Sequence, residues 1–199
     1  MMDGLSAADK KTAIRRYIRS LRRELTEAEI RAASTSAAMR IAYVPEFSKA
    51  ELLLSYKPSK NEIDPYEIDL IAHREGKRVA YPLCIDDGGL RLFVPKTPDA
   101  FTVGKYGILE PDISMSDEVF PEELDLVIAP GIAFDNTCAR LGQGGGYYDR
   151  LLKKTRAYTV GIGYDFQIMA DIPIDAYDRA LDCVITPSML YFAKYAQTE

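Results

Sequence analysis

A glycine-rich stretch between a basic and an acidic residue is the part of the sequence best suited to bind phosphate. It reads Arg140-Leu-Gly-Gln-Gly-Gly-Gly-Tyr-Tyr-Asp149. Glycines allow the backbone to turn its amides towards a ligand, and free N–H groups at the start of a following helix favour anions. Arg140 can pair with two phosphate oxygens, and the carboxylate of Asp149 is a suitable ligand for Mg²⁺. The stretch therefore indicates a phosphate-bearing ligand with magnesium, with a purely structural turn as the alternative.

Two common phosphate-binding motifs do not match this stretch. A P-loop requires Lys and then Ser or Thr after its last glycine, where Tyr147 and Tyr148 stand. A dinucleotide fingerprint that starts at Gly142 requires a glycine at position 147, and it normally lies near the first strand of its fold. The mode of phosphate binding is therefore of another kind.

The remaining chemical groups also favour phosphate chemistry. His73 is the only histidine, so a zinc site with two or three histidines is excluded. The three cysteines, Cys84, Cys138 and Cys183, are too far apart for a paired zinc motif or a disulfide framework, and they favour a reducing, cytoplasmic setting. Carboxylates, Lys, Arg and Tyr remain, and these groups suit reactions in which positioning and charge stabilisation dominate.

The charge is acidic overall but basic near the start of the chain. The net charge of -5 does not suggest affinity for nucleic acid or an anionic membrane, and no apolar stretch approaches the roughly 20 residues that span a bilayer. The stretch 10–23 nevertheless carries Lys10, Lys11, Arg15, Arg16, Arg19, Arg22 and Arg23 without an acid. Such a run indicates either a site for a specific anion or a solvated helix face.

Helical and strand patterns alternate along the chain. Capping boxes at 6–9 and 26–29 each precede a helix, and the second helix is expected to reach about Ala42. The buried stripe of the first helix comprises Ile14, Tyr17, Ile18, Leu21 and Leu25. Strands are predicted at 51–56, 78–82, 90–94, 124–129, 157–162 and 182–186, further helices at 64–76 and 146–154, and a long loop at 95–121. This order favours an α/β domain with a mostly parallel sheet.

The glycine-rich stretch belongs to a longer pattern. Together with Ala129-Pro-Gly-Ile-Ala-Phe-Asp135, it resembles the signature of the 5-formyltetrahydrofolate cyclo-ligase family, also called methenyltetrahydrofolate synthetases. Further segments match the family in the same order along the chain: Lys11-Thr-Ala-Ile-Arg15, Asn61-Glu-Ile-Asp64, Tyr106-Gly-Ile-Leu-Glu-Pro111, Gly161-Ile-Gly-Tyr-Asp-Phe-Gln167, Pro173, Asp178 and 182–186. The resemblance therefore covers nearly the whole chain.

The resemblance implies a fold, a reaction and a set of ligands. The expected fold is a single three-layer α/β/α domain over residues 1–199, with a mostly parallel central sheet, similar to sugar-phosphate isomerases and CoA-transferases. The expected reaction converts 5-formyltetrahydrofolate and ATP to 5,10-methenyltetrahydrofolate, ADP and phosphate, with Mg²⁺ as cofactor. The expected partners are these small molecules alone, bound by a cytoplasmic monomer.

The resemblance also assigns the nucleotide site. Lys11 and Arg15 are four residues apart and share a helix face, and the family match places them at the ATP phosphates. The full set of expected ATP contacts is Lys11, Arg15, Arg140, Leu141, Gly142, Gln143, Gly144, Gly145, Gly146, Tyr147 and Tyr148, of which Lys11, Arg140 and Tyr148 are assigned catalytic roles. Arg16, Arg19 and Arg22 are interpreted as members of a solvated helix face.

The expected folate contacts partly coincide with the nucleotide loop. They are Leu54, Glu62, Tyr106, Gln143, Gly144, Gly145, Gly146 and Tyr147. A carboxylate such as Glu62 can accept hydrogen bonds from the amino and ring N–H groups of a pterin, with a helix-capping acid as the alternative. For Leu54 and Tyr106, packing in the core is the alternative interpretation.

The magnesium ligands implied by the resemblance are Asp149 and Asp178. The second assignment stays open, because Asp171, Asp175 and Asp182 are close to it in sequence. Cys138 stands where the family usually has glycine, and a positive φ there would cost a non-glycine residue roughly 1 kcal/mol or more. The turn before Arg140 could therefore differ from that of the family.

Two other functions remain open. The chain could be a relative that binds folate or nucleotide without turnover, but it should then have lost the Lys, Glu, Arg or Asp positions, all of which are present. It could also be a sugar-phosphate isomerase of the same fold, which would need neither ATP nor Asp149 beside a glycine-rich loop.

Overall fold

The computed structural model describes residues 6–86, 88–173 and 180–193. The helices are α1 (Ala7–Arg23), α2 (Glu27–Met39), α3 (Pro45–Lys49), α4 (Tyr66–Arg74) and α5 (Tyr147–Leu152). The strands are β1 (Leu52–Leu54), β2 (Arg78–Cys84), β3 (Leu90–Pro95), β4 (Phe101–Val103), β5 (Leu109–Pro111), β6 (Ser116–Val119), β7 (Leu126–Pro130), β8 (Ala133–Asp135), β9 (Arg140–Leu141), β10 (Tyr158–Ile162), β11 (Ile168–Met169), β12 (Cys183–Ile185) and β13 (Leu190–Phe192).

A central sheet of eight strands organises the domain in the order β13-β12-β10-β7-β1-β2-β3-β6. The strands from β12 to β2 are parallel, and antiparallel strands complete both edges. The predicted α/β class with a mostly parallel sheet is therefore confirmed. The similarity to sugar-phosphate isomerases and CoA-transferases stays a prediction.

The sheet is covered on both faces because its central strands are apolar on both sides. In β1, Leu53 packs into one core and its neighbours Leu52 and Leu54 into another, as expected when successive side chains point to opposite faces. The first core includes Ala37 of α2, and the second includes Leu151 of α5. Helices therefore lie on both faces, as the three-layer prediction requires.

A small sheet that the sequence did not reveal positions the glycine-rich loop. It has the order β11-β8-β9, and its strands of two or three residues are too short to show a periodic pattern. Ile14 and Ile18 of α1 pack against Ala133 and Leu141 of this sheet. As a result, α1 lies beside the loop that begins where β9 ends.

The prediction of a long loop at 95–121 was wrong in part. The segment contains a two-stranded hairpin of β4 and β5 and the edge strand β6, which pairs with β3. These strands have only three or four residues, which is too few to show strand periodicity, and β5 ends at Pro111, a residue that within sheets is typical of edges.

Both predicted helix starts are confirmed, the second with a full capping box and the first with an N-cap hydrogen bond. The hydroxyl of Ser6 accepts the N–H of Asp9 at 3.2 Å, and Thr26 and Glu29 cap each other reciprocally. Tyr17 does not belong to the buried stripe of α1, because it is 52% exposed. In the described part of the chain, none of the helices combines the length and the apolar composition needed to cross a membrane.

Candidate active site

A cavity of about 490 Å³, here called the main cavity, lies at the carboxyl ends of three parallel strands. Its walls include Tyr56 after β1, Cys84 at the end of β2 and Gly131 after β7. Ligands of open α/β sheets bind at this edge. The other lining residues are Lys57, Ser59, Glu62, Pro82, Leu90, Tyr106, Ile108, Leu109, Glu110, Pro130, Arg140, Gly142, Gln143, Gly145, Gly146, Tyr147, Tyr148 and Asp149.

A second and smaller depression of about 190 Å³, here called the basic cleft, adjoins the main cavity. It is lined by Lys11, Arg15, Arg140, Leu141, Gly142, Gly144, Gly146 and Asp149. Three of these side chains are cationic and one is anionic, so the cleft suits an anion such as a polyphosphate. Four residues, namely Arg140, Gly142, Gly146 and Asp149, line both spaces, so ligands in the two spaces would meet at this shared wall.

The glycine-rich loop needs its glycines for backbone geometry. Gly144 has a φ of 111° and Gly146 a φ of 68°, both in the region that disfavours side chains. A Cβ atom at Gly146 would also lie 2.6 Å from a guanidinium nitrogen of Arg150. Helix α5 has only six residues, so its dipole is small and the turned amides of the loop offer the main backbone attraction for an anion.

Arginines hold the loop from both sides. Arg15 donates from Nε to the carbonyl of Gly142 at 2.9 Å, and Arg19 donates to Oε1 of Gln143 at 2.8 Å. Arg150 donates to the carbonyl of Gly145 at 2.8 Å. These three arginines fix the conformation of the loop, which lowers the entropy that binding must overcome.

Arg140 and Asp149 form an ion pair across the shared wall. Arg140 also donates to the carbonyl of Pro130 at 3.1 Å, and its guanidinium lies 5.7 Å from the ring centre of Tyr148. The residue predicted to bind phosphate and the residue predicted to bind magnesium thus compensate each other's charge. A magnesium–phosphate ligand could replace this pairing, with the cation at Asp149 and phosphate oxygens at Arg140.

Glu62 provides a buried carboxylate on the wall of the main cavity. Its Oε1 accepts from Arg22 at 3.1 Å and from Nε2 of Gln143 at 3.0 Å, and its Oε2 accepts the backbone N–H of Ser59 at 3.0 Å. The interpretation of Arg22 as a member of a solvated face is therefore wrong, because Arg22 is buried against Glu62. Arg19 is exposed, as expected, and its guanidinium also donates to the side chain of Gln143. Arg16 is exposed, as expected.

The aromatic residues of the loop differ in their surroundings. The hydroxyl of Tyr148 is buried and has no hydrogen-bond partner among the described residues, and burial raises its pKa well above the ordinary value. The hydroxyl of Tyr147 lies 3.2 Å from that of Tyr106, which is 69% exposed at the hairpin tip. The core alternative for Tyr106 is therefore wrong, and the two tyrosines bridge the main cavity between the loop and the hairpin.

The structure brings most of the predicted site residues together. Lys11, Arg15, Glu62, Tyr106 and the stretch 140–149 all line one or both spaces. Leu54 lines neither the main cavity nor the basic cleft, because its side chain is 0% exposed and packs in the core below. Asp178 lies outside the described residues, in which no group of three His, Cys, Asp or Glu side chains is placed to hold a metal.

Several cavity residues were missed from the sequence. Lys57 and Glu110 line the main cavity, and Lys57 lies 4.4 Å from the ring centre of Tyr81. The position of Lys57 directly after a buried strand was a usable signal, since residues that follow parallel strands cluster at the ligand edge of a sheet. Glu110 belongs to the proline-rich segment, where no such pattern is visible.

Cys138 has a φ of 66°, which lies in the left-handed region. This conformation agrees with the glycine that the family usually has at this position. Its backbone N–H donates to the carbonyl of Asp135 at 3.1 Å, and the carboxylate of Asp135 accepts the N–H groups of Thr137 at 2.8 Å and Ala139 at 3.0 Å. These bonds fix the turn before Arg140 despite the cost of a side chain at positive φ.

Cys84 is expected to react slowly with alkylating reagents, although it lines the main cavity. Burial, followed by interactions with Glu110, raises the pKa of its thiol to about 11. Since only the thiolate is nucleophilic, alkylation at pH 8 should be about 100-fold slower than for an ordinary thiol and should rise about tenfold per pH unit up to pH 10. Mass spectrometry after iodoacetamide treatment measures this rate, with Cys84→Ser as the control. Labelling at pH 7.5 as fast as that of glutathione would contradict it.

Comparisons with known proteins agree with this geometry. The model of the "5-formyltetrahydrofolate cyclo-ligase family" matches residues 7–187. The chain is 32% identical to the probable 5-formyltetrahydrofolate cyclo-ligase of Schizosaccharomyces pombe, over 89% of this chain and 95% of the relative. It is 31% identical to the 5-formyltetrahydrofolate cyclo-ligase of Escherichia coli K12, over 87% and 98%.

A solved structure shows the same fold over nearly the whole chain. The NMR structure of 5,10-methenyltetrahydrofolate synthetase from Aquifex aeolicus superposes with a TM-score of 0.82, at 32% identity, and covers 95% of each chain. The match of a family model over most of the sequence, the identity to relatives that are covered over nearly their whole length and this superposition agree with one another. The chain belongs to the 5-formyltetrahydrofolate cyclo-ligase family.

Proposed function

We propose that the chain carries out the reaction of its family across the shared wall, with folate in the main cavity and the ATP phosphates in the basic cleft. That reaction is the ATP-dependent conversion of 5-formyltetrahydrofolate to 5,10-methenyltetrahydrofolate. This placement is supported by the wall that the two spaces share. The residues that line both spaces are Arg140, Gly142, Gly146 and Asp149. A phosphoryl group could pass between the two ligands only where their sites meet.

The chemistry requires phosphoryl transfer to the folate. The oxygen of an N-formyl group is a poor leaving group, so the formyl oxygen attacks the γ-phosphorus of ATP and ADP departs. N10 of the folate then attacks the formyl carbon and loses its proton, and phosphate leaves with the former formyl oxygen. No step needs a nucleophile from the protein, in agreement with a site composed of cations, carboxylates and tyrosines.

The cationic side chains of the cleft would act on the phosphoryl group. Negative charge on the transferring group and on the leaving ADP is stabilised by positioned cations and N–H groups. Lys11 and Arg15 enter the cleft from α1, while Arg140 lies at the shared wall. We assign Lys11 and Arg140 to the γ-phosphate, and Arg15 together with the amides of Leu141, Gly142, Gln143, Gly144, Gly145, Gly146, Tyr147 and Tyr148 to the rest of the triphosphate.

The donor set at the shared wall fits a magnesium ion. Mg²⁺ is usually bound by one or two carboxylates together with substrate phosphates and water, and the side chain of Asp149 is 34% exposed beside the cleft. Asp149 would hold the ion, with Asp178 as the second proposed ligand. When bound, magnesium would neutralise part of the negative charge of the phosphates.

The main cavity offers the surfaces that a folate needs. Glu62 provides a carboxylate acceptor for the amino and ring N–H donors of the pterin, and the lining includes apolar side chains such as Leu90 and Ile108. Tyr106 and Tyr147 would flank the aromatic part of the substrate, because their linked hydroxyls bridge the cavity. The backbone of Gln143, Gly144, Gly145 and Gly146 would place the formyl group next to the phosphates.

Replacement of Tyr148 by phenylalanine is expected to reduce activity without loss of stability. Its buried hydroxyl has no hydrogen-bond partner among the described residues, so its removal should leave the free energy of unfolding unchanged or raised by up to about 1 kcal/mol. If the hydroxyl donates to a ligand phosphate, kcat/KM should fall about tenfold. Thermal denaturation and steady-state kinetics test both parts, with Tyr164→Phe, which also removes a buried hydroxyl without a hydrogen-bond partner among the described residues, as a matched control. A Tyr148→Phe enzyme of full activity would remove this residue from the proposed site.

One assay tests the proposed function. With 5-formyltetrahydrofolate, ATP and Mg²⁺, the purified chain should produce the absorbance of 5,10-methenyltetrahydrofolate. Absence of product would contradict the function and favour a relative that binds without turnover. Product formed when ATP is omitted would contradict the phosphoryl-transfer mechanism, and turnover of a sugar phosphate instead would indicate an isomerase.

A further inference from the structure

We propose that Arg22 is a positioning residue for folate recognition, because it fixes the Glu62 carboxylate that is to receive the pterin. The inference rests on the proposed function of the main cavity and adds a residue that lies outside it. Arg22 is in the last turn of α1, on the same helix as the cleft residues Lys11 and Arg15. It does not itself line the main cavity.

The guanidinium of Arg22 joins two segments that form the cavity wall. One terminal nitrogen donates to Oε1 of Glu62 at 3.1 Å, and the other donates to the carbonyl of Gly131 at 2.6 Å. Both side chains of the ion pair are only 7% exposed. A planar group with two donors in fixed geometry can hold both partners at once, which the single ammonium of a lysine cannot do in the same way.

Stability alone is a weak reason for this arrangement. The removal of two charges from water offsets most of their mutual attraction, and apolar residues of similar size are often equally stabilising. The Nε atom of Arg22 is also buried without a hydrogen-bond partner among the described residues, which adds a cost. A role in keeping a charged acceptor in one place on the cavity wall accounts for the buried pair.

Of the contacts that Glu62 makes with described residues, one comes from a side chain of the glycine-rich loop, that of Gln143. Oε2 accepts from the backbone of Ser59, while Oε1 is shared by Arg22 and Nε2 of Gln143. The amide N–H of Gln143 is a donor of the same kind as the amino group of a pterin. When folate binds, Gln143 can give way to the pterin, whereas Arg22 and Ser59 keep the carboxylate in place.

Direct binding of 5-formyltetrahydrofolate without ATP tests this role. Isothermal titration calorimetry on the full chain should show that Arg22→Gln weakens folate binding about 10- to 100-fold, the range for loss of a hydrogen bond to a charged group. The affinity for ATP should be unchanged, and kcat at saturating folate should stay close to that of wild type, since loss of an interaction that is equal in the ground state and the transition state raises KM alone. Arg16→Gln, at an exposed position of the same helix, is the matched control and should bind folate normally.

A double-mutant cycle separates positioning from a purely structural role. If Arg22 acts through Glu62, Arg22→Gln should weaken folate binding little further in a Glu62→Gln background. Additive losses in this cycle, or an unchanged folate affinity in Arg22→Gln, would overturn the proposal. Should Arg22→Gln not fold, Arg22→Lys replaces it in the same cycle, with intact ATP binding as the evidence of folding. If wild type binds no folate at all, the proposed function has failed rather than the role of Arg22.

Discussion

Replacement of Arg140 by alanine is expected to lower kcat/KM for ATP by about 100- to 1,000-fold. Arg140 is the buried cation at the wall that the main cavity and the basic cleft share. Loss of one preorganised donor to a developing negative charge costs about 3 to 4 kcal/mol in comparable sites. Because the γ-phosphate is proposed to move across this wall, the loss should affect the chemical step and therefore kcat as well as KM. Steady-state kinetics with varied ATP at saturating folate measure both constants.

Two further variants show whether the effect of Arg140→Ala depends on the charge and on the position of the arginine. Arg140→Lys retains the charge but cannot make both present contacts, with Pro130 and with Asp149, so an intermediate activity is expected. Arg156→Ala removes an exposed arginine and should leave kcat/KM unchanged. Because Arg140→Ala leaves Asp149 without its partner, thermal denaturation must show that the protein is folded. A folded Arg140→Ala enzyme within a few-fold of wild type would exclude this residue from phosphoryl transfer.

The sequence was informative where the site depends on local spacing. Glycines at positions 142 and 144–146 permit backbone conformations that other residues disfavour, which can be recognised from the residue type alone, and Gly144 and Gly146 adopt a positive φ. Lys11 and Arg15 share a helix face for a similarly local reason. The strands β1 and β7 were recognised because they are short apolar runs, and the carboxyl ends of these strands locate the cavity.

The sequence was uninformative where the site depends on packing between distant segments. The pairing of Arg22 with Glu62 joins residues forty positions apart and exists because α1 packs on the small sheet through Ile14 and Ile18. That sheet consists of strands too short to show a pattern, so the sequence did not reveal what α1 packs against. The helical spacing of Arg22 from Ile14 and Ile18 was an available signal that this arginine turns inward. Leu54 was placed at the cavity by the resemblance, whereas the structure supports the alternative of core packing.

The hairpin of β4 and β5 is another feature that was not predicted from the sequence. Its strands have three residues each, and the turn between them contains Tyr106 at a φ of 65°, which residue type alone would not suggest. Only pairing with neighbouring segments makes such strands stable. The prediction of Tyr106 as a substrate contact therefore rested on resemblance, and the structure adds the bond between its hydroxyl and that of Tyr147.

Replacement of Asp149 by asparagine is expected to abolish the dependence of activity on magnesium, together with most of the activity. A carboxylate in the first contact shell of Mg²⁺ contributes charge that an amide lacks, and loss of the metal's stabilisation of the transition state should cost about 3 kcal/mol or more, which is about 100-fold or more in kcat/KM. Asparagine keeps the size of the side chain and can still accept a hydrogen bond from Arg140, so the loop should retain its structure.

The binding of metal-free ATP distinguishes a metal ligand from a structural residue. In the present structure Asp149 pairs with Arg140, and its negative charge would repel the phosphates when no cation is bound. Asp149→Asn should therefore bind ATP in EDTA at least as tightly as wild type, while the increase in affinity that Mg²⁺ produces in wild type should disappear. Calorimetric titrations with and without Mg²⁺ measure this difference, and Glu122→Gln, at an exposed carboxylate, serves as the control. If Asp149→Asn retained the wild-type response to Mg²⁺, the metal would have to be held elsewhere, and the Arg140–Asp149 pair would serve only to shape the loop.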